Sequence, residues 1–166
     1  MKKILTVAAT FALTGVAAAA TSTGTLDVTA TVAPACVVST TTNTLAFPTF
    51  NPSVAAVTAT ADIGITCNTG LNYSVSLDNG LNFSGTRRMK DIAGNFLEYT
   101  LNRPNNALPN ANSGSPWGNA APNVVTRTGT GVEQLATVYG TIPFSTANQA
   151  AVTGDYTDTV TITVTF

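Results

Sequence analysis

The chain has 166 residues, with seven Lys and Arg, eight Asp and Glu, and no histidine. That length suits one domain with a single sizeable core. The charge balance leaves no basic surplus to draw nucleic acid or anionic lipid, and without imidazole the commonest general base is missing.

The first 20 residues read as a secretory signal peptide. Lys2 and Lys3 form a basic start, residues 4–16 are apolar, and Ala17 to Ala20 supply a small-residue cleavage site. No later run approaches the roughly 20 apolar residues of a membrane span. The mature chain is therefore expected to begin at or beside Thr21. Setting aside the two signal lysines leaves five cations against eight anions, a net charge near −3.

In the exported part, residues 25–32, "TLDVTATV", alternate Leu26, Val28, Ala30 and Val32 against Asp27, Thr29 and Thr31, which predicts a strand. Pro34 ends it, because proline lacks the N–H that a ladder requires. Residues 36–38 and 45–47 are short apolar pieces. Cys36 and Cys67 are the two cysteines. An isolated pair in an oxidising compartment is most simply a disulfide. Closing that loop stabilises the fold by about 3–4 kcal/mol on the chain-entropy estimate.

Residues 58–67 put Ala59, Ala61, Ile63, Ile65 and Cys67 on one strand face, and residues 72–78 turn Tyr73, Val75 and Leu77 inward. Asn79-Gly80 then supplies a turn. The basic cluster "TRRMKD" (86–91) reads as a solvated loop, with a contact patch as the alternative. Further strands are expected at 96–101 and 132–142. Between them lies a long loop, 102–123, rich in Asn, Pro and Gly and carrying the one tryptophan, Trp117. Trp117 either packs beneath its loop or stacks on a sugar. Asp155 and Asp158 read as turn-capping and edge-solubilising groups, with a calcium or acid/base pair as the sharper alternative. None of these features specifies an enzyme.

Six or seven short strands with one disulfide predict an all-β, immunoglobulin-like sandwich. Tyr156 sits where the tyrosine corner of such folds would lie, and it equally continues the apolar face of the last strand. That strand, "TVTITVTF" (159–166), places Val160, Ile162, Val164 and Phe166 on one face and threonine on the other. It has the character of a buried, penultimate strand, yet no strand follows it in the sequence. The expectation is an incomplete sandwich whose open edge needs covering, because bare apolar edges are aggregation templates. The free "TLDVTATV" segment could close the gap in its own molecule, or it could enter the next molecule and build an open head-to-tail filament.

The ending "GDYTDTVTITVTF" (154–166) carries Gly-x-Tyr-x-Asp followed by an alternating strand with a terminal aromatic. Together with the Cys36 and Cys67 pair, "TATADIGITCNTGLNYSVSLDNG" (58–80), "RRM" (87–89), "LEYTL" (97–101), "PWG" (116–118) and "YGTIP" (139–143), it resembles the spore coat protein U family. That family includes archaic chaperone–usher pilus subunits of the Csu major-pilin type. The resemblance implies an incomplete domain over 34–166 that lacks its last strand and is completed by donor-strand exchange. It implies a donor extension at 21–33, with Gly24, Leu26, Val28, Ala30 and Val32 inserted antiparallel to the terminal strand. It also implies an acceptor groove bordered by Val160, Ile162, Val164 and Phe166. A periplasmic chaperone would grip the Phe166 carboxylate, an outer-membrane usher would catalyse exchange, and neighbouring subunits would form a surface pilus serving adhesion and biofilm. No cofactor or metal is implied. The other readings are a secreted, self-complemented coat or matrix protein and a small carbohydrate-binding module.

Overall fold

The computed structural model describes residues 19–39, 44–103 and 115–166. The signal-peptide reading rests mostly on residues 1–18, which lie outside that part, as do residues 104–114 of the long loop. Ala33–Phe166 forms one compact unit, and the described residues before it belong to a second. In the latter, residues 19–32 contain no helix or strand, so the strand expected at 25–32 is absent. The reason is that alternation equips a segment for a sheet but does not supply the ladder partner that makes it a strand.

The larger unit holds eight strands and one short helix among the described residues. These are β1 (Cys36–Ser39), β2 (Val57–Cys67), β3 (Asn72–Leu77), β4 (Arg87–Lys90), β5 (Phe96–Asn102), β6 (Val125–Thr128), β7 (Gln134–Ile142), α1 (Thr146–Gln149) and β8 (Ile162–Thr165). They form a five-stranded antiparallel sheet, β1-β2-β7-β5-β4, and a three-stranded one, β6-β3-β8. One core takes Ile63, Ile65, Leu97, Leu101 and Val138 from the first sheet and Tyr73, Val75 and Leu77 from the second. The all-β sandwich is thus the architecture found. Cys36 and Cys67 face each other in the β1–β2 register and are joined as a disulfide.

Three elements escaped the periodicity. β4 and β6, "RRMK" and "VTRT", each carry a single aliphatic or Met side chain, so no alternation announces them. The helix α1 serves one residue, Asn148, which is fully buried. The β5–β7 register runs Thr100 to Thr141, so Glu98 comes opposite Pro143, which has no N–H to give. The Asn148 side chain takes over that station. Its Oδ1 accepts the Glu98 N–H at 2.8 Å, and its Nδ2 donates to the carbonyls of Glu98 and Pro143 at 3.0 and 2.9 Å.

Trp117 and Arg87 interlock the two sheets. Trp117 is 0% exposed; its backbone N–H donates to Leu101 of β5 at 2.8 Å and its indole N–H to Val75 of β3 at 2.9 Å. It packs beneath its loop and offers no face for stacking on a sugar. The basic cluster is not a solvated loop either. Arg87 opens β4 and is buried, donating to the carbonyls of Asp78 (Nε, 2.9 Å), Leu77 (3.2 Å) and Trp117 (2.8 Å). Burial pushes the guanidinium pKa down, and the nearby Tyr99, Asp78 and Asp158 oppose that shift. The Arg87→Met substitution keeps the apolar stem but leaves these carbonyls without their donor. It is expected to cost about 2–4 kcal/mol of stability, read as a lower melting temperature in thermal unfolding. An unchanged melting temperature would show that the interlock is dispensable.

Candidate functional site

The terminal segment changes sheets. Thr157 exchanges two backbone hydrogen bonds with Lys90 of β4, at 2.8 and 3.1 Å, in the five-stranded sheet. Four residues later the chain has joined β3 in the three-stranded sheet, where β8 pairs from Leu77↔Ile162 to Ser74↔Thr165. Just upstream, the Tyr156 hydroxyl donates to the Val152 carbonyl at 2.7 Å. A tyrosine bonded back to the chain a few residues earlier is the corner geometry of immunoglobulin-like sandwiches.

Asp78 makes the junction with β3 unusual. Its carbonyl is occupied by Arg87, so its carboxylate stands in, Oδ1 accepting the Thr161 N–H at 2.9 Å. Its own N–H still donates to the Thr161 carbonyl at 3.0 Å. Thr161 therefore faces β3, and by antiparallel alternation so do Thr163 and Thr165. The N–H and C=O groups of Val160, Ile162 and Val164 consequently point to the other side, where no strand is paired among the described residues.

Beneath this edge lies a cavity of about 310 Å³. Ile63, Leu77, Leu101 and Val138, contributed by both sheets, line it as core residues; Val160 and Ile162 line it from the terminal segment, and Leu45 and Phe47 from the chain after β1. That chain can lie against β7 because of Gly140, where a Cβ would come within 2.8–2.9 Å of Leu45 and Phe47. An adjoining cavity of about 650 Å³ shares Leu45, Phe47, Met89 and Tyr156 and continues past Phe50 and Val152.

Asp158 and Tyr99 bring polar groups to the first cavity. The Tyr99 hydroxyl donates to Asp158 Oδ2 at 2.6 Å, while Oδ1 accepts the Leu81 N–H at 3.0 Å and the Asn82 side-chain amide at 3.1 Å. Burial first, and then the Asp158 carboxylate, push the Tyr99 phenol well above its ordinary range. Asp155, in contrast, is exposed. Asp158 thus ties the terminal segment to the β3–β4 loop and to β5, rather than capping a local turn with Asp155. Sequence reasoning missed Asp78, Tyr99 and this role for Asp158. Their partners are 59 to 83 residues away in the chain.

The sequence-nominated site residues are distributed as follows. Val160 and Ile162 line the cavity; Val164 is half-buried on the core, and Phe166 is 54% exposed beside Tyr73 and Arg127. Leu26, Val28 and Val32 are 86%, 85% and 82% exposed; Gly24 and Ala30 are exposed as well. The cavity thus lies toward Tyr156, and Val164, paired with Val75, packs against the core without lining the cavity.

The Spore Coat Protein U domain family matches residues 22–163. Among solved structures, the chain is similar to the CsuC-CsuE chaperone–tip adhesion subunit pre-assembly complex from archaic chaperone-usher Csu pili of Acinetobacter baumannii. The match has a TM-score of 0.58 and 26% identity, covering 82% of this chain and 41% of that one. Curated proteins yield no significant match.

Asp78 gives the site a pH dependence. Burial works against its ionisation, but hydrogen bonds from the Thr161 side chain and from the Gly80 and Thr161 backbones, with the charge of Arg87, hold its carboxyl below its ordinary 3.8. A carboxyl whose pKa is lower folded than unfolded adds stability that is complete above the unfolded value and is lost as the pH falls through the folded one. Denaturant unfolding across the acid range should therefore show the parent losing stability below about pH 4 more steeply than the Asp78→Asn variant. Parallel curves would remove Asp78 as a contributor.

Proposed function

The chain belongs to the Spore Coat Protein U domain family, and on that premise we propose that it is a chaperone–usher pilus subunit that polymerises by strand exchange. The carrying observation is the edge of Val160, Ile162 and Val164, unpaired among the described residues, above a cavity floored by core side chains. An extended apolar strand fits both needs, since it supplies ladder partners and fills the cavity with alternate side chains. Residues 21–33 of a neighbouring subunit are the donor, with Leu26, Val28, Ala30 and Val32 turned inward. A periplasmic chaperone covers the same edge before assembly, and an usher at the outer membrane exchanges one strand for the other. The product is a surface filament serving adhesion and biofilm.

An antiparallel donor at this edge would have a defined parity. In an antiparallel pair, residues directly opposite each other share a face and, where the N–H and C=O of one point across, exchange both hydrogen bonds. Val160, Ile162 and Val164 have inward side chains and outward-pointing backbone groups. The donor residues that fill the cavity are therefore the same ones that bond to the edge. A parallel donor would instead bond through its outward-facing threonines.

The test removes residues 21–33 from the mature chain and supplies them as a peptide. The truncated protein should stay unpolymerised, bind the peptide and melt at a higher temperature with it, whereas the intact chain forms filaments. A truncated protein that is stable alone and ignores the peptide would overturn the proposal. Filaments from the truncated chain would do the same. An intact chain that remains a closed monomer would instead favour the self-complemented coat protein. N-methylation of the peptide at Val28 should weaken binding about tenfold or more, and at Thr29 far less, because only the former removes a bond to the edge. The reverse order would mean a parallel donor.

A further inference from the structure

Gly80 occupies the turn after β3 with φ at 77°, and a Cβ there would collide with the Asp158 carboxylate. Conformation and space together demand glycine at this position. The residue before it is Asn79. Asn-Gly is the dipeptide most open to self-modification, because an unhindered glycine nitrogen readily reaches the preceding side-chain amide. In that reaction the Gly80 nitrogen gives up its proton and bonds to Asn79 Cγ, and the carbon–nitrogen bond of the amide breaks to release ammonia. Water then opens the resulting succinimide ring at either carbonyl, leaving aspartate or isoaspartate. One water enters and one ammonia leaves, with no oxidant or reductant.

In the folded turn the attacking nitrogen is not free, since the Gly80 N–H donates to Asp78 Oδ1 at 2.9 Å. We propose that Asn79–Gly80 is a built-in deamidation site and that Asp78 guards it, keeping the proton on the nucleophilic nitrogen for as long as the turn stays folded. To react, Gly80 must leave this bond and become an amide anion beside an existing carboxylate, which electrostatics opposes. The guard is itself held in place. Asp78 Oδ1 also takes the Thr161 N–H at 2.9 Å, and its carbonyl is gripped by Arg87. Beyond the glycine, Leu81 and Asn82 are fastened to Asp158. The backbone rotation that brings nitrogen to Cγ must break this set. The geometry also tells what reaction would damage. A new carboxylate would join Asp78 and Asp158, and isoaspartate would lengthen the backbone by one carbon just where Gly80 abuts Asp158. Both changes act on the loop that fixes Thr161 and Asp158 in the terminal segment.

The measurement is peptide-mapping mass spectrometry of the mature protein aged in mildly alkaline buffer, with isoaspartate at position 79 quantified enzymatically. The folded parent should deamidate about ten- to a hundredfold more slowly than the same protein unfolded, the factor carried by one charge-assisted hydrogen bond. Asp78→Ala should recover most of that factor. Asp78→Asn keeps an acceptor for Gly80 and Thr161 without the charge, so it should recover part of it and covers the case in which the alanine variant does not fold. Asp158→Asn loosens the neighbouring loop but keeps the Gly80 bond, and should raise the rate far less than Asp78→Ala does. Equal rates in folded and unfolded parent would overturn the inference. So would Asp78 variants as slow as the parent, or an Asp158→Asn variant as fast as Asp78→Ala.

Discussion

Backbone hydrogen bonding along the terminal strand is the constraint on which the rest of this molecule depends. A sheet of three strands faces one of five, and β8 closes the smaller sheet on one side only. Each N–H and C=O left facing outward on Val160, Ile162 and Val164 needs a partner, and a buried group without one costs about 1–3 kcal/mol. The same edge stands over core side chains that line a cavity. Polar and apolar deficits thus coincide, and one extended segment can satisfy both. Neither deficit alone would be as informative, because an exposed sheet edge can be solvated and a cavity can be filled by a small molecule.

Keeping such an edge in a definite shape requires a rigid frame, and polar groups provide it. Arg87 takes carbonyls from the end of β3 and from Trp117; Asp78 replaces its occupied carbonyl with its carboxylate; Asp158 joins Tyr99 to the β3–β4 loop. These bonds surround the place where the chain crosses from Thr157, paired with Lys90 in one sheet, to Thr161, paired with Asp78 in the other. A buried arginine is costly unless its donors are used. Here the guanidinium donates to three backbone carbonyls, those of Leu77, Asp78 and Trp117. The cavity keeps its form because its rim is hydrogen-bonded, even where its floor is not fully packed.

Much of the sandwich was legible as alternation. β2, β3, β5 and β7 appear in the sequence as strands, and for β2 and β3 the inward residues could be read as well, Ile63, Ile65 and Cys67 in the one and Tyr73, Val75 and Leu77 in the other. β4 and β6 were not, because their membership in a sheet is decided by neighbouring strands and not by their own side chains. Of the candidate site, the terminal strand's inward face could be read directly, while the cavity's displacement toward Tyr156 could not. The cavity's walls come from β2, β3, β5, β7 and the terminal segment, which are far apart in the chain.

The sequence by itself determined the all-β class, the cysteine pair, the inward faces of β2 and β3 and the alternation of "TLDVTATV", since each follows from residue type and a period of two. Only the tertiary structure decided what Arg87, Trp117, Asp78 and Asp158 do. Their partners are brought near by the fold from far along the chain, and a buried guanidinium or a carboxylate standing in for a carbonyl has no local signature. The same holds for the Asn79–Gly80 turn. Its residues announce a turn, and Asp78 is a near neighbour in the chain, but the Asp158 carboxylate packed against the glycine is brought there by the fold.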